Sequence, residues 1–504
     1  MRREHLLLGL IFIAVAAFRI YVALQTNYFD YDSYFEIRQI ENIQKTGLPL
    51  FEDGLSYGGR TVFFLPLFDY LLAFFSFFMP LDIVLNVVPN LFAASMVLIV
   101  YLISLEMTRN RQTALFASFL AGFVPVFVYK TVNSVSPYTA AIPLIFLLIY
   151  FLMKVNEERI YVALFVITAL ILTLMHPISI LFIIGLVLYA MFIELENLPH
   201  TRAELELILF SIFLILWIFF LFFKKPMIEY GMSIIWQNLP SSISSRYFAN
   251  FSILDAIYKI GVLPFIFGIF VIYRHVFREK NKEVYLLISY ALPIFIFLWL
   301  RLIKLDVGLM FLGFILILLF SQFYKSFFTY IKKTHFARLS WAFAAVFFVS
   351  FALSSVAPSF ALAGAAIDEA PNSNEINAFL WIKGNTEKND TILATPEEGH
   401  IITAISERKN VMDSNFLLGN RVEQRFNDIN TIFTTSYETE AIRLLSKYDV
   451  KYIVVTKNAE KDYGLDDLLY SGDDKCFDLV YNKGMVFIYK SKCMVEEYGA
   501  EESL

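Results

Sequence analysis

Apolar residues dominate long stretches of this chain, and polar ones collect in short punctuating loops. The opening "MRREHLLLGLIFIAVAAFRIYVAL" sets a basic start before an apolar run with no small-x-small cleavage site, which predicts a retained signal-anchor helix. Runs long enough to cross a bilayer follow at 83–105, 112–129, 138–153, 159–175, 177–194, 205–223, 255–273, 284–300, 305–323 and 341–361. With the anchor they give about 11 predicted spans. The segment 62–79 is also apolar, but it carries Pro66 and Asp69 and is followed by Pro80.

Loop charge decides how that segment is placed. If 62–79 does not span, Arg2, Arg3, Arg109, Arg111, Lys154, Arg159 and Arg202 all fall on one side. Arg274, Arg278, Lys280, Lys282, Lys325, Lys332, Lys333 and Arg338 fall there too, all in short loops, as a cytoplasmic face requires. The segment is therefore expected to lie on the surface or re-enter, within a long first external loop at 25–82. The N-terminus is then cytoplasmic. The loop 224–254, "RLIKLD" at 301–306 and everything after 361 are external, and the plasma membrane is the expected location.

From about residue 366 the pattern changes. "NEINAFLWIKGN" has helical periodicity, Thr391–Ala394 reads as a strand, "TEAIRLLSKYDVKYIVVT" as helix then buried strand, and "FDLVYNKGMVFIYK" as a hairpin around Asn482-Lys483-Gly484. Alternating helices and strands predict a small α/β domain. The expected organisation is a polytopic α-helical membrane domain over 1–363 and an external soluble α/β domain over 364–504. Cys476 and Cys493, the two cysteines of the chain, flank the hairpin, and whether they pair is left open.

Composition agrees with lipid as the main solvent. Of 504 residues 58% are hydrophobic and 17% aromatic, with a mean hydropathy of +0.62. A net charge of -5 argues against a nucleic-acid partner, which wants a basic face.

Candidate chemistry gathers on the external side. "NYFDYDSYFEIR" at 27–38 sets Asp30, Asp32 and Glu36 at the start of a periodic segment. A helix N-terminus favours negative charge there, and an N-capping acidic turn is one reading. The other is a general-base or metal-binding pair, two hard oxygen donors of the kind that hold Mg2+ or Mn2+ beside phosphate esters. Arg60, in "LSYGGR", is a candidate phosphate partner, and so are Arg301 and Lys304 in their short loop. Lys130 and the His176-Pro177 turn are accessory candidates. No G-x-S-x-G, P-loop, H-E-x-x-H or Rossmann glycine pattern occurs.

The acidic pair of "FDYDSYFEIR", the following G-x-P, "LSYGGR" and a surface helix together resemble the GT-C glycosyltransferases, most nearly the catalytic subunit of oligosaccharyltransferase. "FLWIKGNTEKNDTILATPEEGHIITAISERKNVMDSNF" extends the likeness to the outer domain. The resemblance implies that Asp32 stands at the family's metal- and acceptor-contacting aspartate, assisted by Asp30. Two departures stand out. The next external loop, "KTVNSVSPYTAA", has no carboxylate, and the position of the family's WWDYG motif reads Thr395-Pro396-Glu397-Glu398-Gly399. The implied function is transfer of a sugar, with inversion, from a polyprenyl- or dolichyl-phosphate-linked donor to an acceptor at the outer face. Arg301, Lys304 and Arg60 would hold the donor phosphate. Alternatives are an oligosaccharyltransferase that reads its protein acceptor through other residues, and a non-catalytic protein that binds lipid-linked glycans or scaffolds a complex.

Overall fold

The computed structural model describes residues 2–231, 252–465, 467–472 and 475–495. Residues 232–251 of the expected external loop 224–254 lie outside the described residues. The chain separates into two compact units that are interleaved along the sequence. The first takes Met1–Asn27, Phe64–Lys225 and Tyr247–Glu369, the second Tyr28–Phe63, Pro226–Arg246 and Ala370–Leu504. The expected first external loop, 25–82, is thereby divided: residues 28–63 cluster with the C-terminal part of the chain.

Three helices open the chain: α1 (Arg2–Ala23), α2 (Ser33–Thr46) and α3 (Leu67–Ser76). Among the described residues six helices are long and apolar enough to cross a membrane, or up to eight if each of two bent pairs is one span. Three further apolar helices, Tyr138–Lys154, Arg159–Met175 and Ser179–Leu195, have 17 residues each. At about 25 Å they fall just short of a 30 Å hydrocarbon core. α3, over the segment expected at a surface or re-entrant, has ten residues, too few to cross alone. It buries Phe68 and Leu72 and exposes Phe74, and the turn after it exposes Phe77 and Phe78.

The helix Leu305–Ile331 is the hub of the first unit, with Phe311, Phe314 and Phe320 among its largest fully buried side chains. Phe314 meets Phe127 and Phe146 edge-on at 5.0 and 5.6 Å. Two breaks shape the periphery. Arg111–Ala121 turns by 46° into Pro125–Thr131, where proline occupies the first helical turn and cannot donate to the preceding one. Ile253–Ile260 turns by 105° into Val262–Phe277 at Gly261, whose φ of 105° and contact with Ser355 exclude a side chain. One cation is buried in α1. Arg19, 1% exposed, donates to Asn90 Oδ1 at 3.1 Å and to Thr131 Oγ1, with its guanidinium 5.3 Å from the Phe127 ring.

The second unit is built on a five-stranded sheet of order β4-β3-β5-β7-β6, and a two-stranded ladder joins β1 (Glu52–Asp53) to β2 (Arg60–Thr61). β3 (Thr391–Leu393) runs parallel to both β4 (Lys409–Asn410) and β5 (Val450–Val455). β5 pairs antiparallel with β7 (Val486–Ser491), which closes a hairpin with β6 (Phe477–Lys483). The hairpin turn is Gly484-Met485, one residue beyond the expected centre. Both have positive φ, as a two-residue turn between twisted strands requires. Ile376, Phe379 and Ile382 of the helix Ser373–Asn385 pack on Ile392, Val454 and Ile488, and Tyr34 of α2 joins the same core.

Cys476 and Cys493 are joined in a disulfide just outside the arms of the hairpin, 17 residues apart in sequence. Closing a loop of that size constrains the unfolded chain by about 3 kcal/mol. Reduction, or Cys493→Ser, should lower the thermal unfolding midpoint of the second unit by several degrees, read by a calorimetric scan with and without reductant. An unchanged midpoint would show the bridge to be mechanically idle.

Candidate functional site

α2 starts where it does because Asp30 caps it. Asp30 Oδ1 accepts from the Ser33 amide at 2.9 Å and from the Ser33 hydroxyl. That is the capping reading of the acidic pair, realised by one of its members. Asp32, at the helix N-terminus, points its carboxylate elsewhere. It is exposed, and its Oδ1 accepts from Ser414 Oγ at 2.7 Å. Glu36 follows one turn later on the same helix and is half-buried.

The loop after α2 is fastened rather than open. Arg38 holds Asp53 with two bonds, at 2.5 and 2.8 Å, and Asp53 in turn accepts from the Leu55 amide at 2.9 Å. Tyr57, at a left-handed φ of 54°, donates its amide to Asn410 Oδ1 at 2.7 Å and its hydroxyl to the Asp413 carbonyl at 3.1 Å. Arg60, expected to meet a donor phosphate, is engaged within the chain. Its side chain is 4% exposed, and its guanidinium donates to Asp413 Oδ1 (2.8 Å), Ser56 Oγ (2.7 Å), Asn415 O (2.6 Å) and Leu417 O (3.2 Å). Four bonds to the chain's own groups, in a side chain so little exposed, commit most of this five-donor group internally.

Asp413 is the focus of this network. It also accepts from Ser56 Oγ at 2.6 Å, Asn410 Nδ2 at 3.3 Å and the Asn415 amide at 3.0 Å. Burial alone would push its carboxyl up, but the Arg60 guanidinium, His400 and these hydrogen bonds together hold it below the ordinary carboxylate range. Gly399 allows the approach, since a Cβ there would lie 2.2 Å from Met412 O.

Thr395–Gly399, at the place of the WWDYG motif, folds into a capped turn inside the core. Glu398 Oε2 accepts from the Thr395 amide (3.1 Å) and hydroxyl (2.9 Å), and Oε1 from the Thr456 hydroxyl. The side chain is fully buried, and burial pushes the carboxyl up to about 8. A carboxyl raised in the fold keeps a proton that the unfolded chain releases above its ordinary value of 4.5, so stability falls as pH climbs from about 5 past 8. Glu398→Gln keeps the neutral shape and should flatten that dependence in thermal melts between pH 5 and 8.5. Equal slopes in both proteins would contradict the protonated assignment.

In the first unit the external candidates are arranged differently from expectation. Lys130 does not stand alone: its Nζ is 3.2 Å from Asp306 Oδ2, and Lys259 holds Asp306 Oδ1 at 2.9 Å and Asp255 at 3.0 Å. Sequence reasoning passed over Lys259. The signal available was the Asp255–Lys259 pair at i,i+4 on an amphipathic helix. Arg301 is exposed at a φ of 56°, a left-handed conformation costing about 1–2 kcal/mol for a residue with a Cβ. Lys304 is exposed at the N-cap of the helix Leu305–Ile331. His176 accepts the Ile178 amide on Nδ1 at 3.0 Å and lies 4.5 Å from the Tyr138 ring. A backbone-satisfied, neutral ring is the plainer description.

Among the described residues no three His, Cys, Asp or Glu side chains gather to hold a metal ion.

No family model matches the chain. It is 38% identical over 109 residues to dolichyl-phosphooligosaccharide-protein glycotransferase 2 of Archaeoglobus fulgidus, a match spanning 21% of this chain and about a fifth (18%) of that protein. Among solved structures it is similar to the Archaeoglobus fulgidus oligosaccharyltransferase in complex with Zn and sulfate, with TM-score 0.66 and 16% identity over 93% of this chain and 71% of the other. It is also similar to ArnT from Cupriavidus metallidurans bound to undecaprenyl phosphate, with TM-score 0.55 and 12% identity over 98% and 99% of the two chains. These likenesses establish the fold of the GT-C membrane glycosyltransferases.

Proposed function

We propose that this chain, a multi-pass membrane protein with the GT-C fold, transfers a sugar from a polyprenyl- or dolichyl-phosphate-linked donor to an acceptor at the outer membrane face. The observation that carries the reading is Asp32: an exposed carboxylate held at a helix N-terminus in a chain of this fold. The disulfide between Cys476 and Cys493 supports an oxidising, extracytoplasmic side for the second unit.

In the proposed transfer Asp32 takes the proton of an acceptor hydroxyl as the bond from that oxygen to C1 of the sugar forms. The bond from C1 to the phosphate oxygen breaks on the opposite face, which inverts C1 and leaves the phosphate on the lipid. Arg301 and Lys304 are assigned to the departing phosphate, as cations whose attraction grows with the charge developing there. Lys130 and Lys259 are accessory to them, and Asp30 acts by capping the helix that bears Asp32. Purified chain in lipid nanodiscs, given a radiolabelled polyprenyl-phosphate hexose and host membranes as acceptor, should label the membranes with loss of donor. Intact donor after prolonged incubation with a panel of polyprenyl-phosphate sugars would defeat the reading.

A protein acceptor is the second reading, favoured by the 38% identical segment shared with a glycotransferase named for protein. Against it, Thr395–Gly399 is core rather than an aromatic recognition surface. An acceptor peptide assayed with a lipid-linked oligosaccharide separates the two.

A further inference from the structure

Ser414 is absent from the residues assigned to the transfer, yet its hydroxyl donates to the Asp32 carboxylate, Oγ to Oδ1, at 2.7 Å. Asp32 is exposed, and an aspartate on a surface helix turns freely about both its side-chain bonds unless something fixes it. Ser414 is well suited to fix it because its own backbone is immobilised on both sides. Asp413, just before it, is 0% exposed and bound by Arg60, Ser56 and Asn410. Asn415, just after it, donates its amide to the same Asp413 carboxylate at 3.0 Å and its carbonyl receives Arg60 at 2.6 Å. A buried, charge-assisted frame therefore presents one neutral donor outward to one exposed carboxylate.

We propose that Ser414 is a positioning residue for Asp32, orienting the carboxylate so that it meets the acceptor proton, and that the Arg60–Asp413 network is the frame that places Ser414. The proposal rests on the reading of Asp32 as the proton acceptor. A neutral hydroxyl suits the task. It orders the carboxylate without neutralising it, where a lysine or arginine in its place would weaken it as a base.

The test uses the full chain in nanodiscs with the radiolabelled polyprenyl-phosphate hexose. Ser414→Ala should lower kcat by about 10- to 100-fold, the scale of a misplaced reacting group. Donor KM should stay within about twofold, since positioning acts after the donor is bound. Ser414→Thr, which keeps the hydroxyl, should restore kcat to within about threefold of wild type. Ser414→Ala at the wild-type rate, a loss confined to KM, or a Thr variant as slow as Ala would each overturn the proposal. Full transfer by Asp32→Asn would overturn it together with the reading of Asp32.

If the wild-type chain consumes none of the lipid-phosphate sugars, the transfer reading fails on its own and the contact is judged by amide hydrogen exchange over Ser33–Ile37. Faster exchange in Ser414→Ala, with Ser414→Thr unchanged, would uphold the positioning. Identical exchange in all three would overturn it.

Discussion

Asp413→Ala should destabilise the second unit by about 3–5 kcal/mol, the cost of leaving a buried arginine without its partner. Arg60 is 4% exposed and Asp413 is fully buried, so water cannot replace either group when the other is removed. The loss extends beyond the ion pair. Ser56 Oγ, Asn410 Nδ2 and the Asn415 amide all donate to the same carboxylate, and a methyl group would leave these buried donors unmatched. Arg60→Ala should cost a similar amount, because a buried carboxylate without its cation is equally unfavourable. The double variant should be less harmful than the sum of the two, since neither charge is then orphaned. Chemical denaturation of the second unit's disulfide-intact fold, followed by tryptophan fluorescence from Trp381, measures all three. Additive losses would mean that the two residues act separately.

The second large effect concerns chemistry. Asp32→Asn should leave the fold intact, because the side chain is exposed and an amide oxygen still accepts from Ser414. Transfer should nevertheless fall by about 100- to 10,000-fold, the usual contribution of a positioned general base. An asparagine has the size of the aspartate and none of its basicity, so the change isolates proton acceptance. The loss should appear in kcat, with the donor bound as before. Asp30→Asn, by comparison, should act mildly, because an asparagine caps a helix nearly as well as an aspartate. If Asp30→Asn were the lethal change and Asp32→Asn the silent one, the roles of the pair would have to be exchanged.

Much of the architecture was legible in the chain because its signals are local. Apolar runs of membrane length need no partner to be recognised, and the strand triplet Thr391–Leu393, the buried run Val450–Val455 and the hairpin all announce themselves by alternation and turn residues. The two-residue strand β4 was missed, since two residues carry no period. The site was less legible because its partners are distant. Arg60 sits in a glycine-rich loop, and at that level it looks like a free phosphate ligand. Its carboxylate partner lies 353 residues further on, and no spacing rule reaches that far. Lys130 and Lys259 were obscured the same way, brought from two separate helices to a carboxylate on a third. The altered WWDYG position was visible as a departure. That its glutamate folds inward as a capped turn could not be read from composition, because Glu is among the residues least often fully buried.

The interleaving of the two units has a consequence for how the protein is made. Residues 28–63 leave the ribosome early, but the groups that satisfy them, from Asn410 to Leu417, come after every membrane helix. At about 5–20 residues per second, Arg60 waits roughly 20–70 seconds for Asp413 to be synthesised. During that interval Arg60 is without Asp413 while the intervening helices are synthesised. A C-terminal fragment expressed from residue 370 would meet the opposite difficulty, carrying a buried Asp413 whose arginine was never translated. Recombinant work on residues 370–495 would therefore begin best with residues 28–63 fused ahead of them.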